Sequence, residues 1–494
     1  MFHKKIISEL FLKNIRVRFA PSPTGYLHVG GLRTALYNYL FARKNNGKFI
    51  LRIEDTDRNR YVEGAVENLI EALKWCGLEF DESPNVGGQF GPYMQSQRLD
   101  IYQKHVHELI ANEHAYYCFC TPQRLETLKE EQQKQKVPQA KYDKLCLGLS
   151  KKEVEERLVN KTPFVVRLNV EPNHRIIFDD IVRGRVEFDS NNVDDQVLIK
   201  SDGYPTYHLA NVVDDHLMQI SHVIRGEEWL SSTPKHVLLY DAFQWERPIF
   251  AHLPLLLNPD RSKLSKRQGD VAVEDYRAKG FLKDALVNFV ALLGWNAGDD
   301  QEFYYLNELI EKFSLERVNK SGAVFDLEKL SWLNAEHLRK KTTEEILKFL
   351  KGEILNSQFS ILNLSDAYLS LVIPAMKERV SFVKEYLTMA PFFFEAPKEY
   401  EETAVQKNWK PETPEQLNKL LDAFALLENP TKEDYEHTLA KVAEDLNIGK
   451  GKLIHPLRLA VSGMSTGPGV FDIVVILGKD EVLKRIQTAL ERIK

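Results

Sequence analysis

Cysteine is scarce, with four in 494 residues. That is too few for a disulfide framework and points to a reducing compartment, the cytoplasm. Long apolar runs are missing too: no stretch approaches the ~20 consecutive apolar residues that a membrane-spanning helix needs. The opening residues Met1 to Lys13 interrupt a short apolar stretch with Lys4, Lys5 and Glu9, which fits neither a signal peptide nor a span; a frayed N-terminal extension without a chemical role is expected there. No G-x-G-x-x-G spacing and no lysine in P-loop register is present, so the dinucleotide fingerprint and the P-loop are both excluded. An excess of one charge is also lacking: the net charge is −5, so a nucleic-acid partner must be held by local basic patches. No internal repeat is visible, and the length suggests about three domains with apolar content enough for several cores.

What is present begins with Arg18-Phe19-Ala20-Pro21-Ser22-Pro23-Thr24-Gly25-Tyr26-Leu27-His28-Val29-Gly30-Gly31. Upstream, Ile15 to Phe19 alternates apolar and basic residues, while Leu32, Ala35, Leu36, Tyr39 and Leu40 keep helical spacing. A strand therefore turns sharply into a helix. Pro21 and Pro23 hold the turn extended, and the glycines let a ligand lie against backbone at a helix start whose free amides face an anion. His28 is the candidate phosphate partner. A second segment, Lys263-Leu264-Ser265-Lys266-Arg267, carries two ammonium groups three residues apart in a polar loop, suited to a triphosphate and to closing over it. Alone, such a cluster is usually a solvated surface run.

Together the two segments resemble the signature motifs of class I aminoacyl-tRNA synthetases, with His28-Val29-Gly30-Gly31 at the His-x-Gly-His motif and Lys263 to Arg267 at the lysine-rich loop. Gly31 stands where that motif ends in His. Three further segments fall in the order of one branch: Arg52-Ile53-Glu54-Asp55-Thr56-Asp57 after the apolar run Phe49-Ile50-Leu51; Asp202 to Asn211, read as a turn followed by a strand, with Val212-Val213-Asp214-Asp215-His216 behind it; and Val223-Ile224-Arg225-Gly226-Glu227-Glu228-Trp229. Over nearly the whole chain they resemble bacterial-type glutamyl-tRNA synthetases.

The resemblance implies an α/β fold. A Rossmann-like parallel-sheet catalytic domain (residues 14–110 and 195–260) carries an inserted α+β connective, acceptor-binding domain (111–194). A stem-contact region with the lysine loop (261–340) and an all-helical anticodon-binding region (341–494) follow the extension (1–13) and the catalytic halves. Helical spacing over Ala285 to Leu293, Leu306 to Phe313 and Thr343 to Leu350 agrees, as does a Pro-containing loop at Pro411 to Pro414. The implied activity is glutamate–tRNA ligation: ATP with Mg²⁺ activates L-glutamate to glutamyl-adenylate, and the acyl group passes to the terminal 2′-hydroxyl of tRNA(Glu), with the enzyme a monomer. The implied catalytic groups are His28, Lys263 and Lys266. ATP contacts fall to His28, Gly30, Gly31, Glu228, Leu256, Lys263, Ser265 and Lys266, and glutamate contacts to Arg18, Ala20, Ser22, Glu54, Tyr207, Asn211 and Arg225. A substrate γ-carboxylate calls for arginine, whose fork matches it bidentately; Arg18 and Arg225 are the two candidates, and Glu54 the partner of the substrate ammonium. For Arg225 taken alone, an ion pair with Glu227 or Glu228 is the competing reading. The alternative activities are glutaminyl-tRNA synthetase, whose branch has barrel-like anticodon domains, an enzyme that also charges tRNA(Gln), or a tRNA-binding scaffold with a dead active site.

Cys118-Phe119-Cys120 and Tyr142-x-x-x-Cys146 offer three thiols and a phenol that can close a tetrahedral zinc site. The family includes zinc-bearing and zinc-free members. Gly148 stands where the commonest zinc pattern has His, while Tyr142 satisfies a related pattern; C-x-C pairs without metal are also common, so both readings stay open. Cys76, on a helix with Leu69 and Leu73, is a small core residue.

Overall fold

The computed structural model describes residues 14–137, 140–264, 271–356 and 364–493. The expected N-terminal extension, and Ser265, Lys266 and Arg267 of the lysine loop, lie outside the described residues. The chain divides into two compact units, one holding residues up to Lys279 with Leu286–Leu327, the other Gly280–Ala285 with Glu328–Lys494.

The first unit is built on short parallel strands. β1 (Arg16–Phe19) leads through the Pro-rich turn into helix α1 (Val29–Lys44), which returns the chain to β2 (Lys48–Leu51), parallel to β1 in the register Arg16 to Lys48 through Phe19 to Leu51. The apolar residues of both strands are buried, as expected for a sheet covered on both faces. The insertion adds β3 (Ala115–Cys118), β4 (Val165–Leu168), β5 (Arg175–Asp180) and β6 (Gly184–Asp189), and β7 (Val197–Ile199) completes an antiparallel β3-β4-β7 sheet. Helix α2 (Tyr207–Leu217), strand β8 (His222–Gly226), helix α3 (Thr233–Ala242) and strand β9 (Ile249–Leu253) form the second parallel unit, with β8 along β9 and sheet order β6-β5-β9-β8. Ser221, at the entry to β8, donates its amide to Arg16 O and its Oγ accepts from Arg16 N, both at 2.9 Å, so β1 lies beside β8. The C-terminal ends of β1, β2 and β8 thus open on one side, where open α/β sheets bind ligands.

Helix α2 corrects the sequence reading, which took Tyr207 to Asn211 for a strand. Leu209, Ala210, Asn211, Val212, Val213, Asp214 and Asp215 are all buried, so the polar residues Asn211, Asp214 and Asp215, which recur at helical spacing, mark a face turned to protein and not to solvent.

The second unit is helical. Its core is filled by Leu417, Leu420 and Phe424 of helix Thr413–Ala425, Leu453 and Leu457 of Gly451–Ser462, and Ile486 of Lys479–Arg492, all fully buried. Pro414, expected in a loop, instead lies in the first turn of helix Thr413–Ala425, where a missing amide hydrogen costs nothing. No helix among the described residues is long and apolar enough to cross a membrane.

Candidate active site

The turn from β1 into α1 is held by His28. As N-cap residue of α1 its Nδ1 accepts from the Gly30 amide at 2.9 Å, which leaves Nε2 of the neutral ring to carry a hydrogen. A Cβ at Gly30 would lie 3.2 Å from His28 Nδ1, closer than an ordinary contact, so a side chain there would crowd the capping imidazole. The ends of the lysine loop are tied to the same place. Lys263 bridges Leu257 and Leu264 N donates to Leu256 O at 2.9 Å, while Val29 N donates to Val271 O and Val273 N to Leu27 O, each at 2.9 Å.

A cavity of about 950 Å³ opens in front of this turn. Arg18, Ala20, Ser22, His28, Gly30, Gly31, Glu54, Tyr207, Asn211, Arg225 and Glu228 all line it; Leu256 and Lys263 do not. Leu256 packs beside Gly30 instead, and Lys263 is exposed.

The two candidate arginines differ. Arg18 is buried against Asp215, donating from Nε at 3.0 Å and Nη2 at 3.2 Å, and Asp215 is shared with buried Arg52 at 2.7 Å. Arg52 reaches Glu54 Oε1 at 3.0 Å and Asp214 at 3.8 Å, and Arg98 pairs with Asp214 at 2.7 Å. Three cations and three carboxylates thereby balance. Burial pushes the Asp215 carboxyl up, but Arg18 and Arg52 outweigh it and hold it below the usual carboxylate range. Burial dominates at Glu54 and raises it despite Arg52 and Arg18. Glu54 Oε1 takes both Arg52 and Asn211, the latter at 3.3 Å, leaving Oε2 without a hydrogen-bond partner among the described residues.

Arg225, only 4% exposed, pairs with no carboxylate among the described residues. The expected competitors do not engage it: Glu227 pairs with Arg183 and accepts from Leu255 N at 2.8 Å, and Glu228 is exposed. Its guanidinium donates to Tyr207 Oη at 3.0 Å, Thr233 Oγ1 at 2.9 Å, His236 Nδ1 at 3.2 Å and His252 Nε2 at 3.1 Å. Trp229 tilts over the Tyr207 ring with centroids 4.2 Å apart. A buried cation without a counter-ion among the described residues, opening on a cavity, can receive an anion.

Comparison with known proteins agrees with this chemistry. Residues 14–332 match the family described as tRNA synthetases class I (E and Q), catalytic domain, and residues 334–490 the anticodon binding domain family. The glutamate–tRNA ligases of Chloroherpeton thalassium and Chlorobium chlorochromatii are 56% and 52% identical, each aligned over 97% of this chain and 98% of its own length. The chain belongs to the glutamate–tRNA ligases. A crystal structure of a glutamate tRNA ligase from Elizabethkingia meningosepticum in complex with its amino acid superposes with a TM-score of 0.92 at 41% identity, covering 97% of this chain and 100% of that one. Among the alternatives weighed from sequence, these relatives favour the glutamate–tRNA ligase reading over the glutaminyl one.

The sequence reading assigned no role to several groups that stand behind the cavity lining and hold its charged side chains. Asp214 and Asp215 stood in a recognised segment, but their partners lie far off in sequence. His252 gave no local signal, being a single histidine in an apolar run, and Thr233 and His236 stand in no motif that the sequence singles out.

Away from the cavity, the Sγ atoms of Cys118, Cys120 and Cys146 lie within 4.8 Å of one another, with Cys120 Sγ 3.6 Å from Cys146 Sγ and 3.3 Å from Tyr142 Oη. Burial pushes the Cys118 thiol up, but hydrogen bonds from Tyr142 and the Cys120 backbone, with Arg167, bring it below its ordinary value. The Arg167 guanidinium lies 4.2 Å over the Tyr142 ring.

Proposed function

We propose that this chain attaches L-glutamate to tRNA(Glu) through an adenylate made in the cavity of the first unit, acting as a cytoplasmic monomer. The observation that carries the reading is the buried, carboxylate-free Arg225 guanidinium beside an N-capped helix start. Arg225, with Tyr207, binds the γ-carboxylate; Glu54 Oε2 takes the ammonium; Asn211, Ser22 and the Ala20 backbone complete the pocket, with Arg18 held by Asp215 at its edge. The α-carboxylate is thereby left free to attack the α-phosphorus of ATP, forming the mixed anhydride and expelling pyrophosphate. The transition state gathers charge on phosphate oxygens, so positioning and cations matter more than a strong base. His28 Nε2–H and the Gly30 and Gly31 backbone meet phosphate and ribose, with Leu256 and Glu228 around the nucleotide. Lys263, Ser265 and Lys266 take the leaving pyrophosphate, and Mg²⁺ arrives on the ATP, held by phosphate oxygens and water. The tRNA 2′-hydroxyl then attacks the acyl carbon and releases AMP. Residues 111–194 meet the acceptor end and 341–494 the anticodon.

ATP–pyrophosphate exchange tests this directly. Exchange is expected with glutamate only when tRNA(Glu) is present, and glutamine should not support it, since a carboxamide leaves Arg225 unpaired. Exchange with glutamine equal to that with glutamate, or none with glutamate and tRNA together, refutes the reading. Charging of tRNA(Gln) in the same assay distinguishes an enzyme that serves both tRNAs.

We also propose zinc at Cys118, Cys120, Tyr142 and Cys146. Tetrahedral zinc with bonds of about 2.3 Å places sulfurs about 3.8 Å apart, and the 3.6 Å between Cys120 and Cys146 fits that span. Bound there, zinc supplies a cross-link between the start and the middle of the insertion. Protein purified without added metal should carry about one zinc per chain, lost in Cys146→Ser; a ratio near zero removes the site.

A further inference from the structure

Two arginines face one cavity, and only one of them has its charge met. Arg18 is paired with Asp215, whereas every group that Arg225 touches is neutral. Arginine only donates, so each imidazole nitrogen facing it must be an unprotonated acceptor. That single constraint fixes the hydrogens around it. His252, accepting at Nε2, carries its hydrogen on Nδ1, which lies 2.6 Å from Asp180 Oδ2. Asp180, 3% exposed, is in turn fixed by the Val182, Arg183 and His252 amides at 2.9, 2.8 and 3.1 Å. His236, accepting at Nδ1, carries its hydrogen on Nε2, 3.0 Å from His208 Nδ1.

We infer that His236 and His252 are specificity-determining positioning residues: they hold Arg225 as neutral acceptors without discharging it, so that full affinity requires a carboxylate on the substrate. This deepens the glutamate reading and rests on it. A carboxylate at either histidine position would orient Arg225 equally well, but it would cancel the charge that distinguishes a γ-carboxylate from a γ-carboxamide. Arg225 also faces the first turn of α3, the positive end of that helix, which adds no compensation. Both rings are 1% exposed or less. Burial, followed by Arg225, pushes His236 far below the usual histidine range, and burial also lowers His252 despite Asp180. Burial and Lys235 take His208 down to about 3. The acceptors therefore stay neutral across the working pH range.

The test compares His236→Asn with His236→Asp in the full-length enzyme, two side chains of one shape that differ in charge. In tRNA-dependent exchange, His236→Asn is expected to keep the KM for glutamate within about fivefold of the parent. His236→Asp should raise it at least about 30-fold and narrow the preference for glutamate over glutamine at least about tenfold, with the KM for ATP within about threefold in both. Equal glutamate KM values in the two variants, an undiminished preference in His236→Asp, or a lost preference in His236→Asn would overturn the inference. If His236→Asp does not fold, Thr233→Asn against Thr233→Asp makes the same comparison 2.9 Å from Arg225 Nη2, under the same criteria. A parent enzyme that does not activate glutamate refutes the functional reading, whereas an active parent without the Asn–Asp split refutes only the present inference.

Discussion

Arg225→Gln is expected to lower kcat/KM for glutamate about a thousandfold while moving the KM for ATP by less than about threefold. The glutamine side chain keeps a donor for the substrate but no charge, and breaking a buried, hydrogen-bonded charge pair costs about 2–5 kcal/mol. The melting temperature should hold or rise, because the ligand-free protein buries this guanidinium with no carboxylate to offset its desolvation. That combination separates a receptor from a strut. A structural arginine would lose stability, and its loss would weaken ATP and glutamate use together. Binding sites carry such local costs because the missing partner is the substrate.

The same contrast explains what the sequence made legible. The strand-to-helix turn before His28 could be read because its meaning is local: Pro and Gly within a few residues specify backbone, whereas the bond from the Gly30 amide to His28 Nδ1 was not read from the sequence. The Arg52-Ile53-Glu54 segment could be placed at a strand end from the apolar run before it. The ranking of Arg18 against Arg225 could not be read, since both end apolar strands. It depends on Asp215, 197 positions from Arg18, and on which side chains three other elements present to Arg225. Helix α2 was misread for a related reason. Its polar residues Asn211, Asp214 and Asp215 are buried against charged partners, so polarity along it reports the site instead of solvent, and the usual link between polarity and exposure fails. The expected pair of Glu227 or Glu228 with Arg225 fails for a similar reason, since nearness in sequence does not decide ion pairing when Arg183 approaches Glu227 from the end of β5.

Asp215→Asn is the substitution expected to cost the most stability. Its carboxylate receives Arg18 through two bonds and Arg52 through one, all in a site at most 3% exposed. An amide keeps one acceptor and turns a donor toward a guanidinium. Removing one partner of a buried pair costs about 3–5 kcal/mol, which for a unit of this size lowers the melting temperature of the first unit by about 4–8 °C. The pH dependence has a definite sign. Arg18 and Arg52 hold the folded-state carboxyl below its unfolded value of about 3.9, so its contribution is complete above that pH and is lost as pH falls through the folded value. The gap in melting temperature between parent and Asp215→Asn should therefore be constant from pH 6 to 8 and should close only below about pH 4. Scanning calorimetry of both proteins across that range decides the matter. A gap under about 2 °C at pH 7 would mean that Glu54 and Asp214 suffice to balance the two arginines. A gap that closes between pH 6 and 7 would assign the effect to a histidine. In either case Arg18 would lose the fixed counter-ion that sets it apart from Arg225, and the division of labour between the two arginines would need another cause.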